Sequence, residues 1–295
     1  MKFFFTLFLV ASFNSSTSQT IVIVDLISKN PVPFTNATFL KKDNTILGGD
    51  YADEKGFIIL NENSISDKIK FSCIGFEDLI IERKAVIDTV FVKKSIIALD
   101  EVAISKASHI LKELGFIESR KKIDLGISKG IETVVFIENN SEIELSIKSF
   151  LFKIQKTLEK VVIRVHFYKL NPNKFEPYTE ILSQDIIYFL DKNTKGTVEV
   201  DVRKYNLKLP AEGGFVGLEN LGDIYEHDQK IFSHNNDSSD ILRFALNYEI
   251  NKSITFMRNR FEHSSWDNTE TLKTQLIQIK SQNFPNASFG IKVFD

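Results

Sequence analysis

Apart from one short stretch, the 295-residue chain sustains no apolar repeat of 3.6 residues, the pattern a helix needs to bury one face. Short runs rich in Ile, Val and Phe take its place, with Gly, Pro, Asn and Asp between them. "KVVIRVHFYKL" is the plainest. Val161, Ile163, Val165 and Phe167 fall on one side of an extended chain, and Val162, Arg164, His166 and Tyr168 on the other. Such runs read as strands. The 26 Phe residues, against one Trp and two Met, agree with that bias. The expectation is an all-β protein. At this length it divides into two domains.

The N-terminus sets a compartment. "MKFFFTLFLVASFNSSTSQT" carries one Lys, an apolar run over residues 3 to 11 and then small polar residues, the layout of a signal peptide over residues 1–18. Cleavage after Ser18 would leave Gln19 first. The run is too short to span a bilayer, so no transmembrane segment is expected after cleavage. An exported protein of the periplasm or outer cell surface follows. Disulfides are permitted there, yet Cys73 is the only cysteine. Both domains must therefore stand on apolar cores, and Cys73 reads as a small core residue. A formal net charge of -2 without a basic stripe argues against nucleic acid as partner.

Residues 19–104 contain six or seven short strands, with reversal points expected at Gly48–Gly49 and Lys55–Gly56 and a kink or bulge at Gly75. The pieces "VDLISKNPVPFTNATF", "ADEKGFIIL", "IKFSCIGFED" and "ALDEVAIS" occur in order. On them the stretch resembles the carboxypeptidase regulatory-like domain, a transthyretin-like seven-strand sandwich common in exported Bacteroidetes proteins. The resemblance implies the fold; it does not imply peptidase activity. Residues 105–117 are expected to be a linker with a short helix through Ala107, Leu111 and Leu114, ended by Gly115. From 118 to 295 strand patterning resumes. A larger jelly-roll-like β-sandwich is expected there. Its runs "GIETVVFIENN", "KVVIRVHFYKLN", "TVEVDVRKYNLKLP" and "GGFVGLENLG" resemble a C-terminal region of unassigned function that follows such modules.

Signals for chemistry are sparse. None of His109, His166, His227, His234 and His263 has a Glu three residues after it, so the zinc carboxypeptidase pattern is missing. No serine-nucleophile motif stands in a convincing context. "AEGGFVGLENLG" lacks the Lys of a phosphate loop, and its Gly213 and Gly214 read as a tight strand connection. Glu226, His227, Asp228 and His234 lie close in sequence and could take a structural calcium; without ligand spacing they also read as a solvated loop. No other cofactor is implied. Trp266, with Phe261, His263 and Arg260 beside it, has the composition of a stacking or anchoring site. Tyr178, Tyr205 and Tyr225 are lesser candidates. These features point to a non-catalytic binding or assembly protein of the cell envelope, partnered by another envelope protein. The alternative is a carbohydrate-binding protein that holds a glycan on the jelly roll; a hydrolase has the least behind it.

Overall fold

A computed structural model describes residues 18–61, 66–95, 110–115, 117, 123–224, 242–268, 270 and 283–294. The chain is all-β. Its first domain comprises β1 (Ser18–Asp25), β2 (Asn36–Leu40), β3 (Ile46–Tyr51), β4 (Phe57–Asn61), β5 (Lys68–Ser72), β6 (Leu79–Glu82) and β7 (Thr89–Val92). They form two sheets, β4-β1-β7 and β3-β2-β5-β6, with β7 parallel to β1 and the other pairs antiparallel. Ile21, Ile23, Ile58, Leu60, Ile69, Phe71, Val90 and Val92 fill the space between them. This is the expected seven-strand sandwich. Gly56 makes a reversal at φ +80°, and Gly75 lies at φ +85° in the turn after β5. Gly48 and Gly49, by contrast, lie inside β3 and reverse nothing. Gly49 is small for a packing reason: a Cβ there would stand 2.2 Å from Phe261 Cδ1.

The second domain follows with β8 (Leu111–Gly115), β9 (Asp124–Ile127), β10 (Ile131–Ile137), β11 (Leu145–Ile154), β12 (Lys160–Leu170), β13 (Pro177–Glu180), β14 (Ile186–Leu190) and β15 (Gly196–Asp201). Then come β16 (Lys208–Leu209), β17 (Gly214–Ile224), β18 (Leu242–Asn247), β19 (Thr255–Asn259), β20 (Asp267–Asn268), β21 (Asn286–Ala287) and β22 (Phe289–Phe294). One sheet contains the order β8-β22-β11-β15 and the facing sheet β10-β17-β12-β14, every pair antiparallel. Eight strands that cross repeatedly between two sheets in this way make a jelly roll. The remaining strands widen it. β19, β20 and β13 extend the second sheet, and β9, β16, β18 and β21 extend the first.

Leu111–Gly115, expected as the end of a linker helix, is an edge strand paired with β22. Leu111 and Leu114 are three residues apart, a spacing that suits a helix, but hydrogen bonding to the last strand of the sandwich overrides that local preference. The second domain thus begins before residue 118. Residues 1–17 of the expected signal peptide 1–18, Ala107 and the run "ALDEVAIS" lie outside the described residues.

The inner core of the jelly roll takes Val161, Ile163, Val165 and Phe167 from β12, as the alternation predicts, together with Phe150, Phe152, Phe244 and Phe289. The other face of β12 is buried as well, because the first domain and the β19–β20 connection cover it. Buried on that face are Val162, Arg164, His166 and Tyr168.

Candidate functional site

Four strands each carry a charge, and strand register brings the charges into one row. Arg164 on β12 stands opposite Glu219 on β17, Glu219 opposite Glu132 on β10, and Glu132 opposite Arg258 on β19. Arg164 Nη1 donates to Glu219 Oε2 at 2.8 Å, and Arg258 Nε to Glu132 Oε2 at 2.8 Å. The two neighbouring glutamates would repel, and like charges directly opposite destabilise a sheet. Arg260, just past β19, relieves this by pairing with Glu132 at 3.3 Å and Glu219 at 3.4 Å.

His166 sits two residues further along β12. Its Nδ1 is 2.7 Å from Glu180 Oε2 and its Nε2 is 3.2 Å from Glu219 Oε2. Tyr168 stacks on the imidazole and donates to Glu132 Oε1 at 2.6 Å. Asp185, on the other side, pairs with Arg164 Nε at 2.9 Å. Four carboxyl groups (Glu132, Glu180, Asp185, Glu219) thus face three guanidiniums (Arg164, Arg258, Arg260) and His166. Charge balances when the imidazole is protonated.

The electrostatics follow from burial set against this pairing. Burial alone would raise the Glu219 carboxyl, but Arg260, Arg164 and His166 outweigh it and hold the group well below its ordinary value. Glu132 is lowered in the same way, burial being overcome by Arg258, His166 and Arg260. For His166, burial opposes the charge while Glu132 and Glu180 favour it, and the balance lifts it to about 9. Burial pushes the Tyr51 and Tyr168 phenols well above their usual range, and neighbouring glutamates add to it.

The network also joins the domains. Tyr51 of β3 donates to Glu219 Oε1 at 2.6 Å. Arg164 Nη2 donates to the Phe34 carbonyl at 2.6 Å, and the Cys73 thiol lies 3.2 Å from Asp185 Oδ2. Lys129 pairs with Asp50 across the same boundary. Phe34, Tyr51, Val162 and Leu221 add an apolar cluster between the domains. A cleft of about 490 Å³ opens alongside, with Asp25, Pro33, Cys73, Phe76, Lys94 and Asp185 among its walls.

The residues singled out in the sequence do not assemble into one site. Arg260 belongs to the buried charge network. Phe261 is wedged between Gly49 and Gly130, 5.0 Å from the Tyr51 ring. Trp266 is half-buried, edge-on to Tyr168 at 5.6 Å with the Arg258 guanidinium 4.2 Å from its ring centre. The His263 side chain is 40% exposed, hydrogen-bonded to Ser265 and 3.6 Å from Asp267. Tyr178 is exposed, and Lys204 lies over the Tyr205 ring at 4.8 Å. Glu226, His227, Asp228, His234 and Tyr225 lie outside the described residues. Among the described residues no three His, Cys, Asp or Glu side chains are arranged to hold a metal ion.

Sequence reasoning missed Glu132, Glu180, Glu219 and Tyr51 as partners of β12. The available signal was a lone charge centred in each of "GIETVV", "VIRVH" and "VGLEN". It marks a sheet face that is neither plain core nor plain surface.

No family model matches this chain, and no curated protein does. Among solved structures, it is similar to the clostridial cysteine protease Cwp84 after propeptide cleavage, with a TM-score of 0.42 and 10% identity over 88% of this chain and 65% of that one. It is also similar to the cysteine protease and lectin-like domains of Cwp84, a surface layer associated protein of Clostridium difficile. There the TM-score is 0.37 and the identity 9%, over 89% of this chain and 59% of that one. The chain spans less than two thirds of the length of either structure.

Proposed function

We propose that this chain is a non-catalytic binding or assembly protein of the cell envelope that acts through contact with another envelope protein. The observation that carries the non-catalytic part is the protonation state of the buried cluster. A general acid needs a carboxyl raised toward neutrality, whereas Glu132 and Glu219 are lowered. A general base needs a neutral imidazole, whereas His166 is held charged; as an imidazolium it could serve as an acid, but its side chain is only 1% exposed, out of a substrate's reach. A thiol nucleophile needs a lowered value, whereas burial and Asp185 push Cys73 up. The cluster serves to hold two domains together.

Contact surface is available elsewhere. On the outer face of the β4-β1-β7 sheet Phe57, Ile59 and Phe91 are each more than two fifths exposed, and Ile27, in the turn after β1, is 78% exposed. Contiguous apolar exposure of this kind marks interaction sites more often than chance exposure does. Export rests on the N-terminal pattern, and no helix among the described residues is long and apolar enough to cross a membrane.

The test is cross-linking in intact native cells followed by mass spectrometry, with the wild type beside a Phe57→Asp, Phe91→Asp double variant. Recurrent capture of one or two envelope proteins by the wild type, lost in the variant, supports the reading. Equal capture by both removes the sheet face from it, and no capture by either removes the protein-partner reading. The glycan alternative gains little from Trp266, whose ring already packs against Arg258 and Tyr168.

A further inference from the structure

Strand β13 is a short edge strand of the sheet that carries the charge network. It has four residues at the sheet edge, and its register with β12 is irregular, Tyr168 facing Glu180 and Leu170 facing Pro177. One side chain adds to the backbone pairing. Glu180 Oε1 accepts from the Phe167 amide at 2.9 Å, and Oε2 lies 2.7 Å from His166 Nδ1. The other imidazole nitrogen faces Glu219 Oε2. With a carboxylate oxygen at each ring nitrogen, only the imidazolium can donate both ways. A neutral ring must turn a lone pair toward one of the carboxylates.

The more exposed end gives way more readily. Glu219 is fully buried and also held by Arg164, Arg260 and Tyr51, whereas the Glu180 side chain is 22% exposed. Just beyond β13 the chain is anchored by Leu182 in the core and by the Ile181 amide, which donates to the Phe167 carbonyl at 2.9 Å. The groups facing His166 are Glu132 from β10, Tyr168 from its own strand, Glu180 from β13 and Glu219 from β17. Arg258 and Arg260 stand behind Glu132.

We propose that β13 is a proton-held clasp: loss of the His166 proton frees Glu180, β13 peels from the sheet edge, and the backbone edge of β12 near residues 168–170 becomes available to another strand. The sign follows from linkage. His166 has a folded value of about 9 against an ordinary 6.5, so its contribution is complete below 6.5 and is lost as pH rises through about 9. An uncovered strand edge is a template for pairing, so the clasp would couple alkalinity to an added strand.

Tyr178, exposed and central in β13, is the place for a probe. A nitroxide on a Tyr178→Cys variant should give an immobile spectrum at neutral pH that becomes mobile with a midpoint near 9, while the strand signal in circular dichroism holds. Adding Glu180→Ala should make the label mobile at neutral pH and abolish the midpoint. A label that stays immobile well above that midpoint would overturn the proposal. Loss of the strand signal at the same pH, or an immobile label in the Glu180→Ala protein, would do so equally.

Discussion

The Tyr51 phenol reaches across from β3 of the first domain to donate a 2.6 Å hydrogen bond to Glu219 Oε1, in the middle of the jelly-roll sheet. Both groups are buried, and the same carboxylate is held by Arg164 through its other oxygen. One glutamate therefore serves the internal order of its own sheet and the attachment of a neighbouring domain.

Replacing Tyr51 by Phe keeps the ring against Phe261 and removes only the donor. Leaving a buried acceptor short of one bond costs roughly 1–3 kcal/mol. Urea unfolding of Tyr51→Phe should show a loss of that size. In a Glu219→Gln background the same change should have a smaller effect, since it would no longer act on a carboxylate.

Phe261 and its two glycines form a second pin. A Cβ on Gly49 would meet Phe261 Cδ1 at 2.2 Å and the Ala37 carbonyl at 2.8 Å; on Gly130, at φ +85°, it would meet Cδ2 at 2.4 Å. Overpacking of this kind costs about 1–3 kcal/mol. Gly49→Ala should destabilise by that amount in the wild type and by less in Phe261→Ala. A double-mutant cycle by thermal unfolding measures the coupling.

Cys73 should resist thiol reagents in the native protein. Its thiol faces Asp185 at the domain boundary, and burial and that carboxylate push it above its usual value. Colour development with an aromatic disulfide reagent should be negligible at neutral pH and complete once denaturant is added. Cys73 is half-buried in the cleft wall, so prompt native reaction would show that the thiol is not held protonated there.

Stability toward acid should reflect the two central glutamates. Their folded values are lowered, so their contribution is full above the ordinary value of 4.5 and is lost as pH falls through the lower folded values. Urea midpoints should therefore decline only below that point in the wild type. In Glu219→Gln the midpoint should start lower, because removing one partner of a buried pair costs about 3–5 kcal/mol, and it should vary less with pH.

Much of the architecture is legible in the amino-acid pattern alone. The alternation in "KVVIRVHFYKL" assigns each side chain of β12 to its correct face, and the turn residues at Gly56 and Gly213 fall where the chain reverses. Local patterns fail where distant partners decide. Leu111–Gly115 pairs with a strand nearly two hundred residues away, and Gly49 is small because of Phe261. The charge network is hidden for the same reason. Arg164, Glu219, Glu132 and Arg258 are neighbours only through the register of four strands, which no single segment encodes.

That row also constrains how the sequence can change over time. Arg, Glu, Glu and Arg stand side by side with nearly no water to stabilise an odd charge, so a substitution at any one of the four leaves its neighbours unbalanced. A lineage could abandon the row for apolar residues or reverse its order of charges, but each intermediate carries an uncompensated ion. The four positions should therefore drift as a unit and be inherited as one trait, while the residues on the opposite face of the same strands vary one at a time.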